Sequence, residues 1–180
     1  MRAILATVIV IAILAAVFIE IIAPGMNWSA AAEPGAVEEF IASRVIDGWV
    51  TRNAGNQTNP LPASAENLKA GQNDYREHCA GCHGLDGGGR NQLEAEFYPP
   101  IAKLTEDTQE MTDGQLYFII AKGIRYSAMP AYEPHHTPEQ IWRIVLWLRH
   151  LSKLSLEEKA AIAAELHEQE ERHKTATEAH

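Results

Sequence analysis

The pattern of apolar and polar positions divides the chain into four stretches. From Ala3 to Ala23 every position is apolar except Thr7 and Glu20. Those 21 residues would span about 31 Å as a helix, close to the hydrocarbon thickness of a bilayer. With Pro24 and Gly25 as a stop, residues 1–25 read as one membrane-spanning helix. Between Pro34 and Arg52, the apolar residues Val37, Phe40, Ile41, Val45 and Trp49 recur at helical spacing, with Glu38, Glu39 and Arg44 among them. That spacing predicts a short amphipathic helix. Asn53 to Ser64 is rich in Asn, Pro and Gly and reads as a linker, so residues 26–63 form a helix and a connection.

Residues 64–154 carry the main domain. Ser64 is a candidate N-cap for a helix through Leu68, Gly71 and Tyr75 that ends near Cys79. Gly84, Gly87, Gly88 and Gly89 predict a loop, and Pro99-Pro100 an extended turn. Thr112 and Gln115 have the spacing of a capping box, opening a helix through Leu116, Ile119 and Ile120 that Gly123 stops. Thr137 and Gln140 form a second box, with Pro138 at the first helical position. The helix it opens is strongly apolar: Ile141, Ile144, Val145, Leu148 and Leu151, with Trp142 and Trp147. The two tryptophans are five positions apart, which predicts that only one faces the core. Ser155 and Glu158 form a third box, opening a helix to about Arg172 with a thin stripe of Leu156, Ala160, Ala163 and Leu166. Residues 155–180 are thus an acidic helix and tail. No strand-like alternation and no internal repeat is present, so the fold class is all-α.

Charge changes the picture in two ways. Formal net charge is −9, and the segments 1–63, 64–154 and 155–180 carry −2, −3 and −4. With no basic segment, nucleic acid is excluded as a partner class. Arg2 precedes the apolar run and no basic residue follows it until Arg44. The positive-inside rule then puts residue 1 in the cytoplasm and the domain on the periplasmic, extracytoplasmic side of the inner (cytoplasmic) membrane, as a single-pass protein. Glu20 falls at the outer end, where a carboxylate reaches the headgroups. A cleaved signal peptide is the competing reading, since Ala30-Ala31-Ala32 is an A-x-A sequence. The apolar run exceeds the usual 7–15 residues of a signal, which favours a retained anchor.

The two cysteines lie three apart in Cys79-Ala-Gly-Cys82-His83. Cys-x-x-Cys-His is the haem attachment signature. One helical turn separates the thiols, so both can add to the vinyl groups of one porphyrin while the next residue is carried under the iron. A redox dithiol would need a βαβ context, and a four-ligand zinc site a second cysteine pair; the chain has neither. The cofactor expected is one haem c, attached through Cys79 and Cys82. A second axial ligand must come from elsewhere. Met111, Met129, His135 and His136 are the candidates on the residues alone.

Gly71, Tyr75, the Cys79–Gly84 motif, Gly89, Pro99-Pro100, Leu116-Tyr117, Gly123, Met129-Pro130 and the apolar helix 138–152 together resemble the class I (mitochondrial-type) cytochrome c domain, here in a membrane-anchored form. The likeness covers about 90 residues, and the anchor, the 34–52 helix and the C-terminal helix lie outside it. It implies that the helices around Gly71–Tyr75 and Ile144–Leu148 cross. It implies that His83 and Met129 are the iron ligands, Met129 matching the family's distal Met-Pro pattern. It implies a proline carbonyl, of Pro99 or Pro100, accepting from the second nitrogen of His83. Tyr126 and Tyr132 flank the methionine loop as expected packing for the haem, and Arg90 and Arg125 are candidates for its propionates.

A haem closed on both faces offers no position for substrate, and no nucleophile–base pair is visible. The expected function is therefore electron transfer, not enzymatic catalysis. The partner would be a membrane redox complex: a quinol-oxidising complex, a terminal oxidase, a photosynthetic reaction centre or a dehydrogenase. The alternative is a haem-based gas sensor or ligand-binding protein in which Met129 is displaced.

Overall fold

The structure, a computed structural model, describes residues 2–22, 29, 32, 34–89, 97 and 100–178, with side chains for all but 21, 22 and 169–178. Pro24, Gly25, Ala30, Ala31, Arg90 and Pro99 lie outside the described residues. All regular elements among those described are helical, in agreement with the all-α expectation. The chain falls into two units, residues 1–32 and 33–180.

The first unit is one helix. α1 runs Arg2–Val17 and continues as a wider turn over Phe18–Ile22. It is the one described helix long and apolar enough to cross a membrane. Its side chains are exposed throughout the described length. The Thr7 hydroxyl donates to the Ala3 carbonyl at 3.1 Å, so this polar group within the apolar run is satisfied inside the helix.

The second unit is built on two crossing helices, α3 (Ala65–His78) and α6 (Pro138–Leu151). They pack mainly on each other, and glycine permits it. A Cβ on Gly71 would lie 2.1 Å from the Arg143 carbonyl oxygen, so only a hydrogen lets the backbones approach this closely. Beside the crossing, Tyr75, Ile141, Ile144 and Val145 are fully buried. Both Trp142 and Trp147 are buried as well, which corrects the one-sided expectation. The helix is enclosed on more than one flank: Trp142 stacks on Tyr117 at 4.4 Å, and Trp147 lies against His150 at 5.3 Å.

α5 (Asp113–Lys122) supplies Tyr117. The capping boxes at Thr112 and Thr137 form as expected, as does that at Ser155. α2 (Ala36–Asn53) docks its C-terminal end on α5: Val50 is buried, and Trp49 meets Phe118 at 4.7 Å. The stretch read as a linker is tied down. The Asn59 backbone N–H donates to Asp113 Oδ2 at 3.2 Å, and its Nδ2 donates to the Trp142 carbonyl at 2.8 Å. Arg149 clamps the loop before α5, donating to Asp113 Oδ1 at 2.9 Å, to Thr108 O at 3.2 Å and to the Met111 carbonyl.

α7 (Leu156–Glu178) is longer than expected. It buries Ile162 and half-buries Leu166, while Leu156 stays 87% exposed. The docked stripe is therefore Ile162–Leu166, displaced from the alanine stripe read in sequence. Arg76 pairs with Glu165, and His150 Nε2 lies 2.7 Å from Glu158 Oε1.

Candidate haem site

The Cys79–His83 turn begins where α3 ends. Cys79 leaves helical geometry at φ −115°, and the chain resumes as a single turn, α4 (Ala80–His83). Cys82 N–H and His83 N–H both donate to the Cys79 carbonyl, at 3.1 and 2.9 Å. Both thiols and the imidazole therefore stem from one turn of backbone. No disulfide joins the thiols. Burial, with Asp74 and Cys82 adding to it, pushes the Cys79 thiol up to about 12. A redox dithiol needs a stabilised thiolate, so this environment opposes that reading.

The far end of the turn is pinned from α3. Tyr75 Oη donates to the Gly84 carbonyl at 2.6 Å, and burial drives the phenol's titration upward. Gly84 has φ +78° and would set a Cβ 3.1 Å from Asp86 Oδ1, a position that favours glycine. Gly89 N–H donates to the His83 carbonyl at 2.9 Å.

His83 Nδ1 lies 3.0 Å from the Ala102 carbonyl oxygen. A carbonyl only accepts, so Nδ1 carries the proton and the Nε2 lone pair is left for a metal. Burial lowers the imidazole's pKa, with the Ala102 bond opposing it, and the net effect favours the neutral ring that ligation requires. The orienting carbonyl is thus that of Ala102, and the expectation of Pro100 in this role is corrected. Pro100 is exposed, and the chain reaches the imidazole two residues later. Pro99 lies outside the described residues.

Met129 is half-buried and packs against the core. Its loop folds back onto the end of α5. Ile124 N–H donates to Met129 O at 3.0 Å, and Tyr132 N–H and Glu133 N–H reach back to Ile120 O and Ala121 O at 3.1 Å each. Ser127 Oγ donates to Ile124 O at 2.7 Å and accepts from Met129 N–H at 3.1 Å. Gly123, at φ +65°, is the hinge: a Cβ there would lie 2.6 Å from the Pro130 carbonyl carbon. Tyr132 joins this loop to the attachment turn, its hydroxyl donating to His78 O at 2.7 Å. Burial, then Cys79 and Cys82, push that phenol up to about 12.

The other candidates are placed elsewhere. Met111 packs against the core and its carbonyl is held by Arg149. His135 is exposed. His136 meets His78 edge-on at 4.7 Å and Tyr132 at 5.1 Å, inside an aromatic cluster. Tyr126, at φ +63°, is 90% exposed and has no packing against the protein core. Arg125 is exposed, and Arg90 lies outside the described residues. Sequence reasoning missed Ala102, the Tyr75–Gly84 bond and Ser127. Only Ser127 had a signal, as a hydroxyl two residues before a loop N–H.

Two crossed helices bracketing a Cys-x-x-Cys-His turn, with a methionine loop sewn to a third helix, define a class I c-type cytochrome domain with one haem. Residues 66–148 match the family model of cytochrome c oxidase, cbb3-type, subunit III. That stretch holds both crossing helices, the Cys79–His83 turn and Met129. Residues 66–148 are thus a monohaem c-type cytochrome domain, an electron-transfer haem module with Cys79 and Cys82 at the spacing that covalent attachment of haem c requires. Among solved structures, the chain is similar to cytochrome cL from the marine methylotrophic bacterium Methylophaga aminisulfidivorans MPT, at 22% identity over 74% of this chain and 83% of that one, with a TM-score of 0.37. No curated protein matches the chain.

Proposed function

We propose that this cytochrome is held in the inner membrane by α1 and passes single electrons between membrane redox partners on the periplasmic side, with His83 and Met129 as its iron ligands. The observation that carries the ligand assignment is that the His83 ring is held by Ala102 O, while the backbone of Met129 is held at its carbonyl by Ile124 N–H and at its N–H by Ser127 Oγ. Such a pair needs little rearrangement when charge changes. The haem supplies an iron that gains or loses one electron. The protein's part is to hold that iron. The two thioethers tether it, the neutral imidazole donates from Nε2, and the soft methionine sulfur favours the ferrous state, raising the potential over bis-histidine ligation. Tyr126 and Arg125 lie on the loop that carries Met129, and their exposed side chains are proposed to face haem edge and propionate.

The anchor would keep the domain near its partner and raise its local concentration. The matched family's description, subunit III of an oxidase, favours a terminal oxidase among the membrane complexes considered. The extra helices α2 and α7 favour a docked subunit over a free shuttle. Carbon monoxide titration of the reduced, matured protein tests the closed haem. No spectral change at moderate ligand is expected. A ready shift would assign a displaceable Met129 and a ligand-binding function.

A further inference from the structure

α2 is apolar on two sides, and only one is used. Ala42, Ile46 and Val50, four residues apart, share a face that is half-buried at Ala42 and Ile46 and buried at Val50, where α2 meets α5. Val37, Ile41 and Val45 share another, about 140° away at some 100° per residue. With Phe40, these residues are 72%, 55%, 62% and 61% exposed in the order named. Four large apolar side chains side by side on a solvent face mark an interaction surface.

The same face carries cations. Arg44 lies over the Phe40 ring at 5.2 Å. Arg52 is two turns further along, and between them Gly48 leaves an open hollow of about 330 Å³ lined by Arg44, Asp47, Gly48, Thr51 and Arg52. Gly48 leaves room there for the Arg52 guanidinium, whose Nη1 would lie 2.9 Å from a Cβ at that position. Glu39 falls on the opposite side of the helix, Glu38 at the edge of the stripe and Asp47 at the rim of the hollow.

We propose that this face of α2 lies on an anionic phospholipid bilayer, with Val37, Phe40, Ile41 and Val45 in the headgroup layer and Arg44 and Arg52 on lipid phosphates. Three observations choose the occupant. Only residues 23–35 separate the end of α1 from the start of α2, and 13 residues reach at most about 45 Å, so a membrane-embedded α1 limits the start of α2 to that distance from the bilayer and leaves the bilayer within reach of this face. Arginine within an apolar stripe suits a surface where its stem is buried and its head meets phosphate. A symmetric pairing with a second copy would bring the arginine-bearing faces together, like charge on like charge. The inference rests on the proposal that α1 is retained in the membrane.

The test uses full-length matured protein in phosphatidylglycerol-containing nanodiscs, where the haem thioethers leave an introduced cysteine as the one reactive thiol. Nitroxides are placed by Ile41→Cys, Glu39→Cys and Val10→Cys in separate variants. The label at 41 is expected to favour dissolved oxygen over a water-soluble nickel chelate, and the label at 39 the reverse. Adding Arg44→Glu and Arg52→Glu is expected to return the label at 41 to water. Equal water access at 41 and 39 overturns the proposal. So does a label at 41 shielded from both agents, which would put protein on this face. The label at 10 separates the two claims: if it meets water, the anchor itself is refuted; if it is lipid-embedded while 41 is wet, only the α2 surface is.

Discussion

The Ile124 N–H donates to the Met129 carbonyl at 3.0 Å, closing a loop whose base is Gly123. The bond sets the direction in which the methionine leaves the backbone. It exists because Gly123 takes φ +65° with the Pro130–Ala131 peptide and the Met129 carbonyl oxygen where a Cβ would stand. Gly123→Ala should therefore displace the loop. The backbone geometry there, φ +65° with ψ −174°, is essentially confined to glycine and costs about 1–3 kcal/mol in a residue with a Cβ, and the Cβ has no room. We expect covalent haem to be retained while the weak near-infrared band of sulfur–iron ligation is lost or reduced. An intact band with unchanged thermal stability would contradict the loop's role.

Met129→Ala should remove that band completely and lower the reduction potential, because the ligand that favours ferrous iron is gone. Redox titration with optical detection reads both. Met111→Ala is the control: it should leave the band in place and cost stability as a lost core contact. The reverse pattern would move the ligand to Met111.

The crossing of α3 and α6 gives a stability prediction. Gly71→Ala places a methyl 2.1 Å from Arg143 O, so the helices must separate. Overpacking of this kind costs about 1–3 kcal/mol, which should appear as a Tm several degrees lower in the matured protein. A Tm unchanged by the substitution would show that the helices do not meet at this point.

The docking of α7 should depend on pH. The bond from His150, helped by the Ser155 backbone and hydroxyl, holds the Glu158 carboxyl down at about 2, against an ordinary 4.5. A depressed carboxyl stabilises the fold above its unfolded pKa and loses that contribution as pH falls through its folded value. The stabilisation should be complete above about pH 4.5 and fade toward pH 2. Glu158 is 40% exposed, so solvent screens the pair and the effect is modest. Hydrogen exchange around Ile162 should be slower in the wild type than in Glu158→Gln at neutral pH, with the difference closing in that acid window. A constant difference would place the stabilisation elsewhere.

What was legible in the sequence follows from which groups carry the information. The haem motif and the three capping boxes are side-chain signatures at fixed spacing, and Gly71 with Tyr75 marked the helix crossing. The carbonyl beneath His83 carries no such signature. Any residue has one, and whether Pro100 or Ala102 presents it depends on the path of the loop. The tie-down of residues 53–64 by Asn59 and the Arg149 clamp are likewise contacts between distant segments, invisible to local pattern. Trp142 and Trp147 were misjudged because period alone assumes one buried face, whereas α6 is covered on several. In α2, the apolar residues formed one list in the sequence, and only the fold separated the docked end from the exposed stripe.

The central claim is a haem held covalently by the Cys79–His83 turn. Intact-mass spectrometry of the chain expressed in a host competent for c-type haem attachment tests it most directly, run on denatured protein beside Cys79→Ala, Cys82→Ala and the double variant. Denatured wild type should carry the mass of one haem, each single variant should retain less, and the double variant none. Wild-type protein that sheds all its haem on denaturation, or a double variant that keeps it, would contradict the account.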